Sequence, residues 1–158
     1  MSGLQLSALF LFLLNTAGLL LHSQLIPRGR IRAGMFCFYT NQSNLLLTVY
    51  ELLLLCAGFW PGGRLWAVLT DVRLSCAMAL YIWVTHLIYQ FVLVPEQKRK
   101  GQRFADFGGS FGNICVHYLT PLLVVAQWLF LADKTGCSSM YRTRSQNSSY
   151  WACSSASA

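Results

Sequence analysis

The sequence has 158 residues and a net charge of +7, with 11% charged and 55% hydrophobic residues. Soluble globular domains carry roughly 25% charged residues, so this chain lacks the charge that covers a water-exposed surface. With a mean hydropathy of +0.47, these values argue against an ordinary soluble enzyme and against a disordered chain. They indicate a polytopic membrane protein.

Four apolar stretches are long enough to cross a membrane, which takes about 20 mostly apolar residues per helix. They cover about residues 4–26, 35–58, 72–94 and 112–132. None alternates with the period of two that is typical of barrel strands, and so we predict an all-α fold, a bundle of four transmembrane helices. No Lys or Arg precedes the first stretch, which also lacks a small-x-small cleavage site, and we interpret it as a span rather than a signal peptide.

The bundle is expected to occupy residues 1–132, and residues 133–158 form a Ser-rich tail that is predicted to lack fixed structure. Lys and Arg favour the cytoplasmic side of a membrane. The connections 27–34 and 95–111 hold seven of them, against five in the N-terminus, the second connection with its flanking Arg73, and the tail. We therefore expect both termini outside. The basic connections are expected to contact anionic lipid headgroups, and nucleic acid is not expected as a partner.

The six cysteines do not form a metal-binding pattern. Four of them lie inside the predicted spans, without CxxC or Cys/His spacing, and are expected to be buried as small apolar residues. They are Cys37, Cys56, Cys76 and Cys115. Cys137 and Cys153 in the tail would be able to pair outside the cell, but nothing in their spacing requires it.

Polar side chains line one face of the second span. Thr40, Asn44 and Glu51 stand at i, i+4 and i+11, which places them on one side of a helix. Because strongly polar groups are costly in lipid, we expect this face to point into the bundle. Glu51 lies about 16 Å from Thr40 along the helix, and both a structural role and a catalytic or proton-relay role stay open for it.

The three histidines are predicted to lie in one leaflet. Thr40 and His117 each stand about five residues inside their spans, roughly 7–8 Å below the same boundary. The spans that contain His22 and His86 run in the opposite direction and end at that boundary, which places these residues at about 6 Å and 12 Å. Asn113 shares a face of the fourth span with His117.

This cluster has the residue types needed for nucleophilic catalysis. A hydroxyl becomes a good nucleophile when a base takes its proton, and histidine does this near neutral pH. Thr40 and His117 are therefore the candidate catalytic pair, Asn44 and Asn113 are candidate oxyanion donors, and His86 is a candidate supporting residue. The structural alternative is that Thr40 bonds a carbonyl of its own helix and His117 bonds a neighbouring helix. No metal or other cofactor is implied.

Two motifs resemble a known family of membrane proteins. The segment 38–46, FYTNQSNLL, is similar to the aromatic-Thr-x-x-(Ser/Leu)-Asn-hydrophobic motif of the androgen-induced and androgen-dependent membrane threonine hydrolases and their bacterial six-span relatives. The segment 116–123, VHYLTPLL, is similar to the motif of that family in which a His precedes a Pro. With the segment 81–86, YIWVTH, the resemblance covers about residues 5–132.

The resemblance implies an integral membrane hydrolase that acts on lipid esters, which in the animal members are fatty acid esters of hydroxy fatty acids. It implies that Thr40 is the nucleophile and that His117 is the base. Membrane lipids would be the surroundings and a lipid ester the substrate, and the bacterial relatives imply the plasma membrane of a bacterium.

One departure from the family bears on activity. The family has six spans, whereas this sequence provides four and then a Ser-rich tail. A truncation, a frameshift or a natural short variant would each explain the difference, and one wall of the bundle is expected to be open. The alternative function is therefore a non-enzymatic membrane protein, either a complex subunit or a binder of small solutes, built on the same helix bundle.

Overall fold

A computed structural model of the protein describes residues 2–22, 38–101, 103, 110–132 and 134. All regular structure in these residues is helical, which confirms the predicted all-α fold. The helices are α1 (Gly3–His22), α2 (Tyr39–Ala57), the short α3 (Arg64–Leu69), α4 (Val72–Arg99) and α5 (Phe111–Leu131). The first connection with its arginines, part of the third connection, most of the tail, and Cys37, Cys137 and Cys153 lie outside the described residues.

Among the described residues, three helices are long and apolar enough to cross a membrane, namely α1, α4 and α5, with 20, 28 and 21 residues. Three of the four predicted spans therefore have the expected length and composition, and the protein has the character of a multi-pass membrane protein. Helix α2 has 19 residues, but it does not reach the same apolar composition because its first turns and Glu51 are polar.

Local signals in the sequence set the helix ends. The Asp71 carboxylate accepts the Arg73 backbone N–H at 2.8 Å and caps the start of α4. The Ser110 hydroxyl accepts the Asn113 N–H at 3.3 Å at the start of α5. Just beyond α4, Gly101 has φ 75°, a backbone conformation that favours glycine at the end of a helix.

Helices α4 and α5 each contain one turn of π-helix followed by a proline. The π turns are Tyr89–Leu93 in α4 and Cys115–Leu119 in α5, and Pro95 and Pro121 come two residues after them. A proline has no N–H for the carbonyl four residues before it, and its ring crowds that carbonyl. The π turn widens the helix at this point and leaves carbonyl groups that neighbouring helices are able to bond.

The bundle has a mixed interior and an apolar exterior. Leu11, Leu47, Ile82 and Val124 from four helices meet in the core, and strongly polar side chains are buried beside them. Large apolar side chains cover the outside, with Phe130 81% exposed. Polar groups inside and apolar groups outside are the distribution expected of helices that face lipid.

Among the described cysteines of the predicted spans, only Cys115 is fully buried as expected. Cys115 is buried against α1, Cys76 is half-buried, and Cys56 is exposed. The prediction was wrong for Cys56 because this residue lies on the outer face of α2, beside the exposed Leu52 and Leu53.

Candidate functional site

The site is built around the break in α5. The π turn directs the Thr120 N–H to the Cys115 carbonyl, and Pro121 has no N–H to offer to the His117 carbonyl four residues before it. Neighbouring helices supply the missing donors. The Asn44 side chain donates to the Val116 carbonyl at 3.3 Å, and the His86 Nδ1 bonds the His117 carbonyl at 2.7 Å.

The ring of His117 is enclosed by other rings. It stacks on Tyr89 with ring centroids 3.6 Å apart and planes 19° from parallel, and it meets the edge of His22 at 5.8 Å. Only 3% of the residue is exposed, and within the described residues its Nδ1 is buried without a hydrogen-bond partner. Since His86 bonds the same turn, the structure brings the three histidines together at one end of the bundle.

Thr40 lies in the first turn of α2, half-buried. Its carbonyl accepts from the Ser43 hydroxyl at 2.9 Å and from the Asn44 amide at 2.8 Å. Within the described part of the chain, its hydroxyl bonds neither a carbonyl of its own helix nor His117. The backbone N–H groups of Tyr39 and Thr40 precede the first N–H that bonds back within the helix, which belongs to Asn41.

Asn44 connects the Thr40 turn to the His117 turn. It is fully buried, and its amide nitrogen donates both to the Thr40 carbonyl and to the Val116 carbonyl. An amide nitrogen has two hydrogens, so both are used in this arrangement and neither is left for an oxyanion. The geometry therefore favours Asn44 as a residue that holds α2 against α5.

Asn113 and His86 also act on the surroundings of His117. The Asn113 amide donates to the Tyr89 hydroxyl at 2.6 Å, which fixes the ring that stacks on His117. A carbonyl only accepts hydrogen bonds, so the contact between His86 and the His117 carbonyl places a proton on the His86 Nδ1. Trp83 stacks on the His86 ring at 5.0 Å and holds its orientation.

Sequence reasoning missed Tyr89 and the roles of His22 and Pro121 in this site. Tyr89 stands three residues after His86 and so on the same helix face, a spacing that would have indicated it. Pro121 lies four residues after His117, so the loss of the hydrogen bond to the His117 carbonyl was also predictable from the sequence. The π turns themselves have no comparable signal in the sequence.

Two further polar groups lie deeper in the bundle. Asn15 in α1, fully buried, donates to the Asn44 carbonyl at 2.7 Å and to the Thr48 hydroxyl at 2.8 Å. Glu51, also fully buried, accepts from the Gln127 amide at 3.3 Å through its Oε2, whereas its Oε1 has no hydrogen-bond partner within the described residues. Glu51 is therefore held between α2 and α5, away from the histidines.

In the part of the chain that the structure describes, the fold is all-helical, with three helices of membrane-spanning length and composition and a buried polar interior. Comparisons with protein-family models, with curated proteins and with solved structures give no match. The resemblance to the membrane threonine hydrolases therefore rests on the sequence motifs alone.

Proposed function

We propose that the protein is a membrane-embedded hydrolase of lipid esters, with Thr40 as the nucleophile and His117 as the base. The observation that carries this proposal is the Asn44 side chain, whose amide nitrogen lies 2.8 Å from the Thr40 carbonyl and 3.3 Å from the Val116 carbonyl. One residue thus joins the turn of the candidate nucleophile to the turn of the candidate base. The proposal also makes the chain a relative of the membrane threonine hydrolases, in the plasma membrane of a bacterium.

The proposal includes α2 as a fourth span. Its 19 residues rise about 28 Å at 1.5 Å per residue, close to the thickness of the hydrocarbon core. The polar side chains that lower its hydropathy, among them Asn44 and Glu51, are buried inside the bundle, while Leu46 and Val49 on its outside are 49% and 45% exposed. A helix with this distribution faces lipid with apolar groups despite its average composition.

The reaction follows from the groups present. The Thr40 Oγ attacks the ester carbonyl carbon while His117 takes the hydroxyl proton, and the negative charge moves to the carbonyl oxygen. The intermediate collapses as the bond to the leaving oxygen breaks, and His117 returns the proton to this oxygen. Water, deprotonated by His117, then attacks the acyl carbon; as the bond to the Thr40 Oγ breaks, His117 returns the proton to this oxygen, which releases a carboxylic acid and restores Thr40.

The start of α2 provides donors for the oxyanion. The N–H groups of Tyr39 and Thr40 bond no carbonyl within the helix, and the positive end of the helix dipole lies at the same place. Backbone N–H groups placed in this way stabilise developing negative charge. The Thr40 hydroxyl must rotate towards His117 when substrate binds, as catalytic contacts often tighten only in the substrate complex.

The test is ester hydrolysis by the full chain in lipid nanodiscs. Thr40→Ala and His117→Gln are each expected to lower kcat by about 100-fold or more, since both remove a group that acts in the transition state. Thr40→Ser keeps the hydroxyl and is expected to retain activity. Thr16→Ala is the matched control, because it removes a threonine hydroxyl whose Oγ1 is buried in α1 without a described partner.

The second candidate is a non-enzymatic binder of small solutes or a complex subunit. It is favoured by the Thr40 hydroxyl, which within the described residues does not contact His117. Equal hydrolysis by the unaltered chain and by Thr40→Ala, with both folded, would support this candidate and contradict the hydrolase.

A further inference from the structure

A cavity of about 240 Å³ opens at the end of the bundle opposite the histidines. It lies between the first turn of α1, the last turns of α2 and α5, the start of α4 and the short helix α3. Its polar and aromatic lining residues are Tyr50, Trp66, Thr70, Ser75, Gln127 and Trp128. At about 30 Å³ per water in the liquid, the space corresponds to roughly eight waters, enough for one aromatic ring with a short side arm but not for a whole lipid.

The walls of the cavity are mostly apolar. Aliphatic side chains and a methionine complete the lining, and no charged side chain lines it in the part of the chain that the structure describes. Glu51 bonds Gln127, and the ammonium group of Lys134 lies over the Trp128 ring, but neither charged residue is part of the lining. A charged ligand would lose its hydration here without an opposite charge beside it, and so the cavity favours a neutral ligand.

Three hydroxyl groups of the lining donate their hydrogens to the backbone of the protein. The Tyr50 hydroxyl donates to the Leu69 carbonyl at 2.8 Å, and the Thr70 hydroxyl donates to the Trp66 carbonyl at 2.8 Å. The Ser75 hydroxyl is within 3.2 Å of two backbone carbonyls. Because a hydroxyl has a single hydrogen and two lone pairs, each of these oxygens is left as a hydrogen-bond acceptor.

Gln127 adds a fourth acceptor to the lining. Its amide nitrogen donates to the Ser7 hydroxyl at 3.1 Å and to the Glu51 carboxyl group at 3.3 Å, so both amide hydrogens are used and the carbonyl oxygen is left. The Trp128 Nε1 adds no donor, because this atom is buried within the wall. The lining thus combines apolar walls with oxygens that need a hydrogen from a ligand.

These acceptors select for a hydroxyl group. An acceptor that is removed from water without a donor is costly, so a hydrocarbon or a halide that fills the cavity leaves the oxygens unpaired. An alcohol of the same shape supplies the donor, and sites that bond a hydroxyl group reject analogues that lack it. The apolar part of such a ligand packs against the aromatic residues Tyr50, Trp66 and Trp128.

We propose that this cavity binds a small neutral alcohol or phenol with an apolar body, whose hydroxyl group donates to the oxygens of Thr70 and Ser75. These two residues are half-buried, whereas Tyr50 and Gln127 are 8% and 9% exposed, so Thr70 and Ser75 are the more accessible of the four acceptors. The site shares no residue with the proposed catalytic pair, and the proposal is independent of the proposed hydrolase activity.

The experiment is equilibrium dialysis of the full chain in nanodiscs of zwitterionic lipid with 2-phenylethanol. Two ligands of the same shape are the controls, namely (2-fluoroethyl)benzene, which lacks the donor, and 2-phenylethylammonium, which is charged. Binding of each compound is expressed relative to its uptake by protein-free nanodiscs, which corrects for differences in hydrophobicity. We expect this ratio to be about tenfold higher for the alcohol than for either control. An equal or higher ratio for the fluoride or the ammonium compound would overturn the proposal.

A double variant tests the two acceptors. Thr70→Val combined with Ser75→Ala removes both hydroxyl oxygens and leaves the apolar walls in place. It is expected to lower alcohol binding about tenfold, to the level of the fluoride, and to leave fluoride binding unchanged. Thr16→Val is the matched control, because it removes a threonine hydroxyl of α1 whose Oγ1 is buried without a described partner and which does not line the cavity.

Should the double variant fail to fold, Ser75→Ala alone removes one of the two oxygens and must lower alcohol binding while fluoride binding stays the same. Unchanged alcohol binding in the folded double variant, or in the folded Ser75→Ala protein where that variant replaces it, would overturn the proposal. An equal loss of alcohol binding in Thr16→Val would also overturn it, since the loss would then not depend on the hydroxyl groups of the cavity.

Discussion

Asn15 joins three helices of the bundle through side-chain hydrogen bonds. Its amide nitrogen donates to the Asn44 carbonyl and the Thr48 hydroxyl, and its oxygen lies 3.5 Å from the Thr120 hydroxyl. One side chain of α1 therefore contacts α2 and α5 at the level just below the histidines. Because Asn15, Asn44 and Thr120 are buried, their polar groups depend on one another for hydrogen bonds.

Asn15→Ala is expected to lower the free energy of unfolding by about 1–3 kcal/mol, because it leaves buried polar groups of α2 and α5 without their partner. Unfolding in mixed detergent micelles measures this change. The neighbouring Thr16→Val is the control and is expected to be neutral or slightly stabilising, since the Thr16 Oγ1 is buried without a described partner. A loss of stability in Thr16→Val as large as in Asn15→Ala would contradict the assignment.

The sequence indicates which residues form the site better than it indicates what each residue does. The helical spacing of Thr40 and Asn44 and the position of His117 before Pro121 predict an inward polar face, and the structure does bury Asn44 and His117. The roles depend on hydrogen-bond partners from other helices, such as Val116 for Asn44. No local pattern encodes such a partner, and the catalytic pair itself stays a prediction.

At the scale of the helix, the π turn and proline of α5 explain why His86 is needed. Pro121 cannot donate to the His117 carbonyl, and His86 supplies the bond from α4 at 2.7 Å. We therefore expect the two residues to be energetically coupled. Their coupling is measurable, because a new N–H at position 121 would take over the carbonyl that His86 now bonds.

His86→Phe is expected to destabilise the protein by about 1–2 kcal/mol, and by less when it is combined with Pro121→Ala. A double-mutant cycle of unfolding free energies should give a coupling of about 0.5–1.5 kcal/mol. Additive effects of the two substitutions would show that the His86 contact does not compensate for the proline.

Gly18 allows α1 to approach α5 closely. A Cβ at this position would stand 2.8 Å from the Cys115 Cβ and 3.2 Å from the Val116 Cγ1, and both neighbours are fully buried. Gly18→Ala is therefore expected to cost about 1–3 kcal/mol of unfolding free energy. Gly62→Ala is the control, since a Cβ there meets no atom within 4 Å; a cost as large at Gly62 would contradict the packing explanation.

At the scale of the whole molecule, the number of helices that cross the membrane determines the side on which each connection lies. If α1, α2, α4 and α5 all cross the membrane, Gly62 and Gly101 lie on opposite sides. With the Lys and Arg distribution, Gly62 is expected outside and Gly101 in the cytoplasm. Single cysteines at these positions, in a cysteine-free background, report their side through a membrane-impermeant maleimide.

We expect the cysteine at position 62 to react in intact cells and the one at position 101 to react only after permeabilisation. Labelling of both in intact cells would mean that α4, which lies between the two positions, does not cross, and would contradict the four-span bundle. A cysteine in place of Ser2 is expected on the side of Gly62, because both α1 and α2 lie between them; labelling of positions 2 and 62 from opposite sides would place α2 on the membrane surface.

Average hydropathy predicted α1, α4 and α5 because their apolar residues continue around the helix. It was less decisive for α2, where the apolar face turns outward and the polar residues turn inward. The cavity at the end of the bundle opposite the histidines was not predictable from the sequence, since it depends on how Tyr50, Trp66 and Gln127 from three helices meet. Such tertiary contacts are not encoded in the periodicity of any one span.

The site of covalent labelling by a fluorophosphonate tests the central claim most directly. The reagent reacts with an activated hydroxyl, and mass spectrometry of peptides from the labelled full chain identifies the modified residue. The hydrolase predicts one adduct on Thr40, which is lost in His117→Gln and absent from Thr40→Ala. An adduct on another residue, or undiminished labelling of a folded Thr40→Ala protein, would contradict it.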